Sequence, residues 1–274
     1  MVNNNDIRTH YRLSRQPFLA SLKAKDFYIR PCMDSISDGL SFAIASGLYY
    51  TIIGDVGAGK STALSYALSR LPGKRYEIVS IIGCSASFPE VLRQLLFSMN
   101  SHIKTGQISK LLKCVQDCFS SYRESGRIPL ITIDEAHLFN NDVFQQLHVI
   151  SQQVPSGQAP IPMVLCGQEL LFERISGPLC KPLMSRIMDG FNIAGMGQSE
   201  CIEYINHHVC TLSGGSPDIF DEKAAVAIAQ ASAGIPRKIN ELCLLAMRNA
   251  MENDRTTVLV EDVRRANGSW WDRR

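Results

Sequence analysis

Apolar residues fall along this chain in two patterns. Short runs rich in β-branched and aromatic residues occur at 49–53, 76–82, 128–133, 162–166 and 191–193. Such runs predict buried strands, the last of them an edge strand. Between them, apolar residues recur at three- and four-residue spacing and predict helices over 34–45, 62–68, 88–99, 109–122 and 143–154. The stripes are explicit in Ile36, Leu40, Ala43 and Ile44, and again in Val91, Leu92, Leu95, Leu96 and Met99. Gly47, Leu71-Pro72-Gly73 and Ser125-Gly126 punctuate them. Strands alternating with helices predict an α/β fold with a mostly parallel, three-layer αβα sheet. From residue 199 the strand runs stop. Helices are expected over 200–210, 221–231, 237–251 and 260–266, with Gly234-Ile235-Pro236 ending one helix and starting the next. The expected organisation is an N-terminal extension with a first helix (1–46), an α/β core (47–198), and a helical lid with a basic tail (199–274).

Composition narrows the class without naming a function. The 274 residues are 45% hydrophobic and 20% charged, as in a globular protein. No apolar run approaches the roughly 20 residues of a membrane span, and residues 1–6 lack the apolar core of a signal peptide. The nine cysteines are scattered, an odd count that fits a reducing compartment. Cys114 and Cys118 share a helical spacing with Leu111, Val115 and Phe119, which suits buried thiols better than a metal site. The expectation is a cytoplasmic protein with no membrane partner. A net charge of +2 neither demands nor excludes nucleic acid. Cations concentrate locally, in Arg8, Arg12, Arg15, Lys23, Lys25 and Arg30, and in Arg264, Arg265, Arg273 and Arg274 around Trp270-Trp271. For any one of these, a solvated terminus is the plain reading.

The chemistry lies at strand ends. After the first strand comes Gly54-Asp55-Val56-Gly57-Ala58-Gly59-Lys60-Ser61-Thr62, a phosphate-loop sequence in its required strand–loop–helix setting. Its glycines let the backbone approach a phosphate chain, and the helix N-terminus adds partial positive charge. Lys60 can reach the β- and γ-phosphates of ATP, and Ser61 can ligate Mg²⁺. The apolar run 128–133 delivers Asp134 and Glu135, which suit a metal carboxylate and a residue that orients and polarises attacking water. The next strand run ends in Gly167-Gln168. Gln168 can position water or sense the γ-phosphate, or it can cap the helix that follows. Adjacent His207 and His208 cannot share a helix face and do not suggest a metal site.

These motifs together resemble an AAA+ ATPase, most closely the ExeA-like ATPases and the related TnsC, TniB and MuB transposition regulators. The segment 11–18, with Pro17-Phe18, resembles the entry segment of ExeA-like proteins. Leu165-Cys166-Gly167-Gln168-Glu169-Leu170 resembles their first sensor region, and Ser185-Arg186-Ile187 the segment carrying the arginine finger. Gly234-Ile235-Pro236-Arg237-Lys238-Ile239-Asn240-Glu241-Leu242 resembles their second sensor. His137 departs from the pattern, because ExeA-like members usually carry glutamine there. The resemblance implies that Arg186 acts on a neighbouring subunit's γ-phosphate and that Arg237 touches phosphates of its own subunit. Lys60, Ser61, Asp134 and Glu135 act within one chain, with ATP and Mg²⁺ as the implied ligands.

Two functions share that engine. One is a transposition regulator that assembles as a ring or helical filament on double-stranded DNA and recruits or stimulates a transposase. Lys104, Lys110 and Lys113 are its DNA-contact candidates by position, through salt-dependent phosphate contacts. The alternative is an ExeA-type ATPase of general secretion or envelope assembly. Such proteins usually continue into a membrane span and a peptidoglycan-binding region. The ATPase-and-lid size of this chain, with Met1 and its Trp-containing tail, favours the first expectation.

Overall fold

The computed structural model describes residues 4–19, 22–152 and 158–268. Trp270, Trp271, Arg273 and Arg274, and the end of the helix expected over 143–154, lie outside the described residues. In chain order the elements are α1 (Asn4–His10), α2 (Cys32–Ala45), β1 (Tyr49–Gly54), α3 (Lys60–Arg70), β2 (Tyr76–Ile82), α4 (Phe88–Ser98), α5 (Ile108–Glu124), β3 (Ile128–Asp134) and α6 (Asn141–Ser151). They continue with β4 (Met163–Gly167), α7 (Glu169–Ile175), α8 (Lys181–Met184), β5 (Ile187–Ile193), α9 (Gln198–Asn206), α10 (Glu222–Ser232), α11 (Pro236–Met251) and α12 (Val260–Asn267). These sort into two compact units, 31–56 with 60–193, and 1–30 with 57–59 and 194–274.

In the first unit the strands form one sheet in the order β2-β3-β4-β1-β5. Every pairing is parallel, as the alternation predicts. A parallel neighbour requires a crossover, and the intervening helices supply it. β1 sits between β4 and β5 with all six residues buried, so its sequence is a run of aromatic and β-branched residues ending in glycine. The outermost strands show less burial. β2 exposes Ile78 and Ile82, and β5 exposes Met188. β5 also begins four residues earlier than the apolar run 191–193 suggests, because Met188, Asp189 and Gly190 face solvent.

The helices read as amphipathic stripes. α5 buries Leu111, Val115 and Phe119 at four-residue spacing and turns its polar side outward. α4 opens with a capping box, in which the Ser87 N–H donates to Glu90 Oε2 at 2.6 Å. Leu92, Leu95 and Leu96 of α4 join Val115 and Phe119 of α5, Ile131 and Ile133 of β3, and Phe144 and Leu147 of α6 in one core.

The second unit is helical and has its own core. Tyr11 and Phe18 of the N-terminal segment pack there with Ile228, Cys243 and Met247. The Tyr11 hydroxyl donates to the Met247 carbonyl at 2.8 Å. α9 runs directly into a π-helical turn, His207–Leu212. His207 and His208, expected not to share a helix face, lie edge to face with ring centroids 5.9 Å apart at the start of this π turn. His207 Nε2 pairs with the Asp26 carbonyl at 3.1 Å. His208 is buried, stacks on Phe18 at 5.1 Å, and accepts the Phe18 N–H at Nδ1. Among the described residues no helix is long and apolar enough to cross a membrane.

Candidate nucleotide-binding site

The C-terminal ends of β1, β3 and β4 converge, and most of the predicted site residues stand there. β1 ends at Gly54, and α3 begins at Lys60. Gly57 and Gly59 adopt φ values of 81° and 99°, which side-chain-bearing residues rarely take. A Cβ on Gly59 would meet nothing within 4 Å, so the loop leaves open space on that side. Ala58 is fully buried, while Asp55 and Val56 are exposed. Lys60 is buried, and its Nζ donates to the Gly54 carbonyl at 2.9 Å and the Asp55 carbonyl at 2.8 Å. Burial lowers its pKa, while the Glu135 and Asp134 carboxylates oppose that shift. Among the described residues no carboxylate lies within ion-pair distance of this ammonium.

The acidic pair is tied to this loop. Ser61 Oγ donates to Asp134 Oδ2 at 2.6 Å. The other carboxylate oxygen of Asp134 accepts the Glu135 N–H at 2.9 Å. Glu135 itself sits in the left-handed region, φ 51° and ψ 33°, a conformation that costs a residue with a Cβ about 1–2 kcal/mol. The neighbouring strand pins it. The Gly83 N–H donates to the Asp134 carbonyl at 2.7 Å. A Cβ on Gly83 would fall 2.3 Å from the Glu135 carbonyl oxygen, so only glycine fits beside this peptide.

His137 is buried behind the acidic pair. Its Nδ1 accepts the Gln168 N–H at 3.4 Å and lies 3.5 Å from Glu135 Oε2. Burial lowers its pKa, Glu135 and Asp134 raise it, and Lys60 and Arg174 lower it. Gln168 occupies the N-cap position of α7 without a side-chain cap bond, so its side chain does not serve the helix end. Neither Gly83 nor a contact role for His137 follows from the sequence alone. The one available signal was a glycine directly after a strand run.

Arg186 stands elsewhere. Its carbonyl accepts the Tyr49 N–H at 2.9 Å, which places it at the N-terminal end of β1. Its guanidinium donates to the Pro182 carbonyl. Arg237 belongs to the helical unit, which also contains Gly57–Gly59. Within it the Arg237 backbone N–H faces the Gly57 carbonyl at 3.4 Å.

This donor set fits a nucleoside triphosphate with Mg²⁺. It offers a buried ammonium whose partners are carbonyls, a hydroxyl–carboxylate pair, and a glycine loop with open space beside it. Sheet order, loop and acidic pair define an α/β P-loop fold of the AAA+ type. Residues 46–175 match the family model described as AAA domain. The chain is 24% identical over 255 residues to General secretion pathway protein A of Aeromonas hydrophila, covering 92% of this chain and 46% of that protein. It thus spans about half the length of this curated relative. Among solved structures it resembles Cdc6p from Pyrobaculum aerophilum, with a TM-score of 0.71, 15% identity, and coverage of 91% of this chain and 69% of that one. It also resembles the Aeropyrum pernix ORC1 protein in complex with DNA, with a TM-score of 0.65, 15% identity, and coverage of 91% and 67%. At these identities the likeness is one of fold.

Proposed function

We propose that this chain is an ATP-dependent regulator of DNA transposition, which assembles with copies of itself on duplex DNA and recruits or stimulates a transposase, with hydrolysis controlling assembly. The observation that carries the ATPase part is the gathering of Lys60, Ser61, Asp134 and Glu135 where β1 and β3 end. ATP supplies the phosphoanhydride, with Mg²⁺ neutralising charge on its oxygens. The loop 54–62 and the Lys60 ammonium would hold the phosphates. Ser61 Oγ and an Asp134 oxygen would hold the metal ion. Glu135 orients the attacking water and accepts its proton, and Gln168 holds that water from the end of β4. Arg237 serves the helical unit as its phosphate-sensing residue.

The arginine finger is assigned to Arg186 of a neighbouring copy. Within one chain Arg186 lies beside Tyr49, at the opposite end of β1 from the loop. Five strand steps separate the two, about 16 Å at 3.3 Å per residue. That separation supports action in trans, with the site as one side of an assembly interface.

The DNA reading draws support from cations on one segment of the core, Lys104 before α5 and Lys110 and Lys113 on it. Lys113 pairs with Asp117 at 2.8 Å, an exposed contact that phosphate can displace at little cost. The likeness to ORC1, solved in complex with DNA, adds to it. A second reading has its own support. The match to General secretion pathway protein A favours an ExeA-type ATPase of envelope assembly. Fluorescence anisotropy with a labelled nonspecific duplex separates them. The transposition reading expects binding that needs ATP and Mg²⁺ and weakens steeply with salt, as counterion release requires. No binding under those conditions at moderate ionic strength rejects it in favour of envelope assembly.

A further inference from the structure

One ring nitrogen in the site has two claimants. His137 Nδ1 accepts the Gln168 N–H at 3.4 Å, and the same atom lies 3.5 Å from Glu135 Oε2. Accepting an N–H requires Nδ1 to carry no proton, which assigns the ring proton to Nε2. A lone pair then faces the Glu135 carboxylate, and no hydrogen bond forms between them. Adding a proton at Nδ1 reverses both relations. The ring would donate to Glu135, and the Gln168 amide would lose its acceptor. The two bonds exclude each other.

We propose that His137 is a positioning residue for Glu135: bonded to the Gln168 amide it leaves the carboxylate free to receive water, and bonded to the carboxylate it withdraws Glu135 from that task. The ring therefore couples the end of β4 to the acidic pair at the end of β3. The inference rests on Glu135 serving as the water-polarising residue. Three features make the coupling stiff. His137 is buried and cannot rotate freely. Glu135 is fixed in a left-handed conformation against Gly83. Gln168 is the N-cap of α7 and directly follows β4, so its amide moves with both.

The charged groups facing the ring decide which state holds at neutral pH. Asp134 and Glu135 favour a charged ring, while Lys60 from α3 and Arg174 from α7 disfavour it. Burial is the largest influence and also disfavours it, so the ring's pKa is held below the ordinary histidine value. Acid is thus the direction that engages Glu135 and lowers turnover. Movement of β4 away from the ring would do the same by removing the Gln168 amide.

Two measurements test this on the 274-residue chain. Long-range ¹H–¹⁵N spectra of the histidine rings report the tautomer directly and need no hydrolysis. The expected result near pH 7 is a neutral His137 with its proton on Nε2; a ring protonated at Nδ1 overturns the proposal. Steady-state kinetics supply the second test. His137→Ala should lower kcat about 10-fold or more with KM within about 2-fold, the pattern of a lost positioning contact. His137→Gln should restore most of that kcat near pH 8, because its carbonyl oxygen can accept the Gln168 N–H. Its acid limb should move to lower pH, since the glutamine cannot take a proton. A wild-type acid limb that His137→Gln leaves in place refutes the role of His137. Absence of ATP turnover in the wild type, or normal turnover in Glu135→Gln, counts instead against the hydrolytic reading on which it rests.

Discussion

Gly83→Ala tests whether the position of Glu135 governs turnover. The substitution adds one methyl group beside the Glu135 and Ala136 backbone. Its Cβ would lie 2.3 Å from the Glu135 carbonyl oxygen and 2.8 Å from the carbonyl carbon. Ordinary contact lies about 1 Å further out. Both atoms are backbone, so no side chain can swing away. The Gly83 N–H bond to the Asp134 carbonyl and the register of Ile82 opposite Asp134 hold the two strands together at this point. The strain must therefore be relieved by shifting the Glu135 peptide, which already occupies a left-handed conformation. Overpacking of this kind costs about 1–3 kcal/mol of stability, within what a domain of 5–15 kcal/mol can lose and stay folded. A displacement near 1 Å at a water-orienting carboxylate lowers turnover about 10²-fold, or roughly 2.7 kcal/mol in the barrier. Phosphate release should fall by that factor while affinity for a fluorescent nucleotide stays within about 2-fold, since Lys60 and the loop are untouched. Gly73→Ala is the control, because a Cβ there meets nothing within 4 Å. If Gly83→Ala turns over ATP within 3-fold of wild type, at about the wild-type rate, the inference from backbone geometry to catalysis is wrong.

Other perturbations separate the remaining parts. Lys60→Ala removes the buried ammonium and should weaken nucleotide binding by about 10–10²-fold, read by equilibrium titration of a fluorescent analogue. Arg186→Ala should retain nucleotide affinity while losing about 10³-fold in assembly-stimulated hydrolysis. Mixing it with Lys60→Ala chains should restore turnover, because each supplies what the other lacks; two variants that stay inactive together argue against action in trans. His208 has its pKa pushed down to about 3, chiefly by burial, with His207 and Arg15 adding to the shift. The unfolded chain takes up that proton below about pH 6.5, so stability is lost as pH falls from there towards 3, by about 2 kcal/mol at pH 5. Urea midpoints at pH 7 and pH 5 should differ in the wild type and converge in His208→Gln.

Much of the sheet was legible because its strands are buried on both faces. A strand such as β1, with six buried residues, has to be an apolar run, and the chain shows one. The edge strand β5 was legible only in its last three residues, since Asp189 and Gly190 face solvent and carry no apolar signal. α1 was missed because it contributes only Ile7 to the core among its described side chains, and one residue makes no period. The π turn at His207–Leu212 has no local signature; packing of His208 against Phe18 accompanies it. At the site, Lys60, Ser61, Asp134 and Glu135 were legible from motif and strand context. The left-handed Glu135 was not, because glutamate has no preference for that conformation. The His137–Gln168 bond joins positions 31 apart in sequence, a juxtaposition that only the β3–β4 pairing creates.

The proposed division of labour follows from where the sheet puts its two ends. Each strand delivers one kind of residue at its C-terminal end: Gly54 and the loop from β1, Asp134 and Glu135 from β3, Gln168 from β4. These groups are linked by hydrogen bonds, Ser61 to Asp134 at 2.6 Å and Gln168 to His137 at 3.4 Å, so a displacement at one is felt at the next. Arg186 enters β5 at its N-terminal end and is fixed there by the Tyr49 N–H and by its own bond to Pro182. No side-chain rotation carries it the length of β1. In the proposed function Lys60 and Arg237 serve the phosphates within one chain, whereas the arginine finger comes from a second copy, which can supply it only if its own sheet end docks against this loop. Turnover per chain should then rise with protein concentration until assembly saturates, and a surface that promotes assembly, such as duplex DNA in the proposed function, should shift that rise to lower concentration.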